Sequence, residues 1–134
     1  AGFKVNVVPM DWGALQARKE SSAPVAEGGW NMFFTAWGIP GIWNPLVNPL
    51  IDGSGKDKVW AGWRANPEVE ALRAQYLVAQ DLEEQKRIAR EIQQIAWDDG
   101  FYYNGGEYRS VSAWSDKVKG VNEGPLSLFW NIRK

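Results

Sequence analysis

The chain contains no cysteine and no histidine. That excludes thiolate and imidazole zinc sites, Ser-His and Cys-His catalysis and every disulfide, and leaves no bridge from which a redox compartment could be read. Charge of one sign is also missing, since 15 Lys plus Arg stand against 16 Asp plus Glu. Neither a nucleic-acid patch nor a polybasic membrane face follows from such a balance, so small molecules or proteins are the expected partners. No apolar run approaches the roughly 18 residues needed to span a bilayer, and the opening AGFKVNVV has no basic leader region or cleavage pattern. What is there is one domain's worth of chain, 134 residues, able to bury about two-thirds of its unfolded surface. AGFKVNVVPM reads as the glycine end of a helix running directly into a strand, the junction of an α/β unit, so a piece of a longer protein is expected.

Residues 3 to 8 alternate as a strand would, with Phe3, Val5 and Val7 on one face, Val8 on the other, and Pro9 at the boundary. Asp11 is placed to cap a short helix over WGALQARKE, and SSAPVAEGG (21 to 29) is a loop. Residues 30 to 37, apolar on both faces, predict a second strand in a sheet covered on both sides. Two Asn-Pro pairs in NPLVNPL favour one-turn helical starts, and IDGSGKDKVWAGW is a loop with Gly53 and Gly55. Asn66-Pro67-Glu68 supplies a cap, a proline at the first helical position and an acid in the first turn. Val69, Leu72, Tyr76 and Ala79 then recur at helical spacing, which predicts a helix over 67 to 79. Asp81 with Glu84 three residues on resembles a capping box. Leu82, Ile88, Ile92, Ile95 and Ala96 form the apolar stripe of a second helix, stopping at Gly100. FYYNGGEYRSVSAW then offers two short β-prone runs about a glycine pair, and a last apolar run follows. The order is that of an α/β protein with a partial sheet flanked by helices.

Chemistry is harder to find than binding. Asp98-Asp99 and Glu83-Glu84 sit where solvated helix-end charges sit, without the facing geometry of a carboxylate-dependent hydrolase. DGSGKD (52 to 57) lacks the acidic ligands of a calcium loop and the frame of a phosphate loop. No metal or cofactor is expected. The nine tryptophans are the real oddity. Trp97 lies on the helical stripe's element and is expected in the core, whereas Trp60 and Trp63 around Gly62, and Trp37 and Trp43 bracketing GIPGI, fall on loops. Aromatics beside glycines at the carboxyl end of a strand suit a binding crevice of an α/β sheet.

These residues resemble a known family: the family 5 extracytoplasmic solute-binding proteins, the peptide-, nickel- and oligosaccharide-binding components of bacterial ABC importers. The pieces that match are AGFKVNVVPMDWGAL as strand and helix, WNMFFTAWG as the strand entering the cleft, NPL after it, and NPEVEALRAQYLVAQDLEEQKRIAREIQQIAWDDGFYYNGGEYR as helix pair and return. The resemblance runs across essentially the whole chain and places it in the C-terminal quarter or so of such a protein. It implies the C-terminal lobe of a two-lobed, type II periplasmic binding protein. Residues 1 to 100 would form part of the second α/β lobe, and residues 101 to 134 the hinge return and a tail that packs on the first lobe. It implies a periplasmic protein without enzymatic activity that closes around a peptide or other small solute and presents it to permease subunits.

The ligand-binding residues the resemblance points to are Trp37, Gly38, Ile39, Pro40, Gly41, Ile42, Trp43 and Asn44. Peptide-binding relatives carry here a motif that begins with Trp and holds an Asp three residues later, which pairs with the peptide's α-ammonium. Trp37 matches that tryptophan and Pro45 the closing proline, with one extra residue between them, but Pro40 occupies the Asp position. No acid occurs from Asn31 to Ile51, and a desolvated ammonium without an anion is strongly disfavoured. A solute without a free ammonium is therefore expected, such as a blocked peptide, a sugar-like or another neutral solute stacked on Trp37 or Trp43. Two other readings stay open: an aromatic-rich carbohydrate-binding module with a flat row of tryptophans, and a small carboxylate-dependent hydrolase. Without a first lobe to cover them, Leu126, Leu128, Phe129 and Trp130 are expected to drive a dimer, a swapped tail or a tail folded onto its own lobe.

Overall fold

The computed structural model describes residues 2–55, 59–126 and 128–134; Lys56 and Asp57 of the DGSGKD stretch lie outside them. The described residues form three α-helices, α1 (Trp12–Lys19), α2 (Pro67–Val78) and α3 (Leu82–Asp98), with short 3-10 turns at Val25–Glu27, Ile39–Gly41 and Pro49–Ile51. Each helix starts where a local side chain can satisfy its free N–H groups. The Asp11 carboxylate accepts from the Ala14 N–H at 3.0 Å, the Asn66 side-chain oxygen from the Val69 N–H at 3.1 Å, and the Asp81 carboxylate from the Glu84 N–H at 3.0 Å. Such caps contribute about 1 kcal/mol each.

The end of α3 is equally local. Gly100 adopts φ +65°, the left-handed conformation that a Cβ disfavours, so the Gly100 N–H reaches the Trp97 carbonyl and the Phe101 N–H the Ala96 carbonyl at 3.0 Å. This is a Schellman closure, and its usual apolar contact is present because Phe101 packs on the core that includes Ala96. From Asn66, the Nδ2 amide donates to Asp99 at 2.7 Å, tying the start of α2 to the end of α3. The two helices form an antiparallel hairpin around Val69, Leu72, Ile88, Ile92 and Ala96, with Ile51 added from the 3-10 turn before them. Val69, Ile88 and Ile92 are fully buried, each stabilising the fold by about 1.5–3 kcal/mol. Trp97, expected in this core, faces solvent instead and meets Tyr103 edge-on; the helical stripe has turned past the core by that residue.

Polar clasps fix the segment 44–55 to the hairpin. Arg73 donates from Nε to the Pro45 carbonyl at 3.1 Å and pairs with Glu70 and Asp52, while Glu70 accepts the Gly53 N–H at 3.0 Å. Arg64 donates to the carbonyls of Ala61 and Pro49 and lies over the Phe101 ring, 5.1 Å from guanidinium to centroid.

The partial sheet is where expectation and structure part. Residues 3 to 8, residues 30 to 37 and the runs after Phe101 contain no strand, and among the described residues the only β contacts are the isolated bridges Ser54–Ala65 and Lys119–Arg133. No backbone hydrogen bond joins residues 3–8 or 30–37 to another described segment. A strand is held by its neighbour, and apolar patterning says which face would be buried, not what would pair with it. Phe3 and Phe34, each 86% exposed, have no cover among the described residues. In the tail Leu126, Phe129 and Trp130 are exposed and Leu128 is half-buried.

Candidate functional site

The last turn of α1 gathers three segments. Arg18 donates through Nε and Nη2 to the Gly29 carbonyl at 3.2 and 2.8 Å, and the Trp30 indole N–H donates to the Lys19 carbonyl at 3.1 Å. Lys19 itself is only 8% exposed, pairs with Glu20, donates to the Trp60 carbonyl at 3.0 Å and lies 5.4 Å from the centre of the Trp60 ring. A cation at a helix C-terminus is favoured by the helix dipole, and here the indole face adds to that.

An aromatic cluster grows from this knot. Trp30 meets Phe33 edge-on at 5.0 Å and Trp63 at 5.6 Å, Phe33 meets Trp60 at 5.8 Å, and Trp37 meets Trp60 at 5.2 Å with the rings 81° apart. The Trp30–Phe33 and Trp37–Trp60 pairs are edge-to-face, one of the favoured arrangements of such rings. Beside the Trp37–Trp60 corner lies an open hollow of about 300 Å³ lined by Trp12, Gln16, Thr35, Ala36, Trp37 and Trp60. Trp12 and Gln16 stand one turn apart on α1 and so share a face. None of the lining residues carries a charge.

The structure divides the expected ligand loop. Trp37, 36% exposed, belongs to the hollow. Gly38 to Ile42 make the 3-10 turn, with the Gly41 N–H bonded to the Gly38 carbonyl and the Ile42 N–H to that of Ile39. Gly41 runs beneath Trp37, where a Cβ would come 3.3 Å from the ring. Pro40 is half-buried in the turn and Ile39 projects outward. Trp43 is 70% exposed and does not line the hollow. Asn44 is engaged in the chain itself, its side-chain oxygen accepting from Leu46 at 2.8 Å and Val47 at 3.3 Å. Trp12, Gln16, Thr35 and Ala36 were not picked out from the sequence, although the i, i+4 spacing of Trp12 and Gln16 was there to read. Trp60 was noticed only as a loop aromatic.

The acids lie elsewhere. Asp98 accepts from the Gln94 amide and Asp99 from Asn66, while Glu83 and Glu84 pair with Lys86 and Arg87 along α3. Among the described residues no three acidic side chains gather as a metal site would need. Asp52 is buried enough to raise its pKa, but the Ser54 hydroxyl and N–H, with Arg73 and Arg64, outweigh that and hold it below the ordinary value. Burial lowers the pKa of Arg64, against the pull of Asp52.

No protein-family model matches the chain. Known proteins do. A probable peptide ABC transporter periplasmic-binding protein of Sinorhizobium fredii is 35% identical over 133 residues, which is 99% of this chain. The chain is thus similar, along almost its whole length, to one part of a periplasmic-binding protein. A second such relative, the glutathione-binding protein GsiB of Pectobacterium atrosepticum, is 29% identical over 131 residues, 96% of the chain. The chain spans 25% of the length of each of these relatives. In this chain the uncharged stretch from Asn31 to Ile51 supplies half of the hollow's lining and the whole loop beside it. No helix among the described residues is long and apolar enough to cross a membrane.

Proposed function

We propose that the protein is the periplasmic solute-binding component of an ABC importer, without catalytic activity, and that it delivers a small solute to the permease. Residues 1 to 100 contribute to the second lobe, and residues 101 to 134 are the hinge return and the tail that packs on the first. The observation that carries the reading is the uncharged aromatic hollow beside the loop Trp37 to Asn44, in a chain whose relatives are named for peptide and glutathione binding. Indoles meeting at 81° favour a concave binding site over a flat carbohydrate-binding row, and the dispersed, internally bonded acids do not favour a hydrolase.

The solute is peptide-like or otherwise neutral and lacks a free ammonium. Pro40 stands where peptide-binding relatives carry the pairing Asp, and no acid occurs from Asn31 to Ile51. Calorimetric titration with matched free and N-acetylated di- to pentapeptides tests this. The N-acetylated series is expected to bind more tightly, and tight binding that depends on the free amine overturns the assignment of solute class.

A further inference from the structure

We propose that the hollow between α1 and the aromatic cluster is a ring subsite, built to take one uncharged ring that carries a hydroxyl or amide edge, with Gln16 as its polar specificity residue. This rests on the solute-binding reading and extends the contact surface beyond the loop Trp37 to Asn44 to the α1 residues Trp12 and Gln16 and to Trp60.

Three observations on the lining lead there. Trp37 and Trp60 meet at 81° with 5.2 Å between centroids, forming a corner in which a third ring lies flat on one indole and edge-on to the other, both favoured arrangements. In the same lining Trp12 is more than half exposed, an indole face with no aromatic partner among the described residues. Gln16 and Thr35 are the polar members of the lining, and neither side chain makes a hydrogen bond among the described residues. Gln16 offers both donor and acceptor, Thr35 a hydroxyl that can do either. Aromatic walls with a few convergent neutral polar groups are the composition of a small-molecule site.

The electrostatics select against charge. No carboxylate or ammonium lines the hollow. Lys19, the cation that packs against the Trp60 ring, is committed to Glu20 and the Trp60 carbonyl. A charged group entering among the indoles would lose water without gaining a counter-ion, whereas a neutral ring loses little. A volume of about 300 Å³ admits one ring and its substituents. The chemistry is shared by an aromatic side chain of a blocked peptide and by a pyranose, whose C–H face stacks on indole.

The test uses the purified protein and isothermal titration with N-acetylated tripeptides that differ only in one Trp or Ala, with methyl β-glucoside and cellobiose as the sugar arm. One of the two arms is expected to bind with about a tenfold gain for the ring, and which one does so identifies the source. Gln16→Leu is expected to weaken that binding about tenfold. Gln16→Glu should reverse the charge preference, so that tryptophanamide, with its ammonium, gains over N-acetyl-tryptophanamide; a merely structural glutamine would not do this. Circular dichroism of the Gln16 variants checks that the helices are intact. If N-acetylated peptides bind but neither the ring nor Gln16 alters affinity, the subsite is wrong while the solute-binding reading stands. If neither peptides nor sugars bind, both fall.

Discussion

Arg73 on α2 donates from Nε to the carbonyl of Pro45, 3.1 Å away and 28 residues earlier in the chain. The same guanidinium pairs with Glu70 and Asp52. It therefore holds the segment that follows the loop Trp37 to Asn44 against the side of the helical hairpin, and a planar fork suits this role better than a point charge.

Arg73→Ala removes charge-assisted bonds from a largely buried side chain and leaves Asp52 and the Pro45 carbonyl short of partners. A loss of about 1.5–3 kcal/mol is expected, seen as a fall of several degrees in the melting temperature by circular dichroism. Arg73→Lys should recover only part of it. A melting temperature unchanged in Arg73→Ala would mean that the clasp contributes nothing.

The same clasp gives acid sensitivity. Burial raises the Asp52 pKa, but the two bonds from Ser54 and the charges of Arg73 and Arg64 lower it more, so the folded value lies below the unfolded one. A depressed carboxylate stabilises the fold above the unfolded pKa, near 4 for Asp, and that contribution disappears as pH falls through the folded value. Urea titrations of the wild type should show midpoints that decline below about pH 4. Asp52→Asn should start lower at neutral pH and decline less; parallel curves would remove Asp52 from the explanation.

In the hairpin, Ile92 is fully buried between α2 and α3. Ile92→Ala should destabilise by about 2–5 kcal/mol through lost transfer energy and the cavity left behind. Equilibrium denaturation reads this directly, and a cost under 1 kcal/mol would show that the hairpin core collapses around the gap.

Leu126, Phe129 and Trp130 are exposed together near the end of the chain. An apolar group of that kind is expected to associate, so sedimentation velocity of this chain should show concentration-dependent self-association. Phe129→Ser with Trp130→Ser should reduce it. A monomer at all concentrations, with the tail side chains still accessible to solvent, would refute the expectation.

What could be read from the sequence follows a physical division. Asp11, Asn66 and Asp81 cap their helices within three residues of themselves, and Gly100 stops α3 through its own backbone, so those features were legible. The strands expected at 3–8 and 30–37 did not form, because their pattern records a surface to be buried while pairing depends on a neighbour that the described residues do not provide. The site was half legible. Trp37, singled out in the sequence by its place after an apolar run, lines the hollow, but the fold alone brings Trp60 against it, and nothing local marks Lys19 as the buried residue that positions Trp60.

The loop from Trp37 to Pro45 is moored at both ends. At one end an indole leans on Trp60 and through it on α1, and at the other a carbonyl is gripped by Arg73 on the hairpin. The loop's span is thus a gauge of the distance between two separately built parts of the molecule. Adding or removing a single residue there cannot be absorbed quietly: either the indole must leave its corner or the carbonyl must leave its arginine.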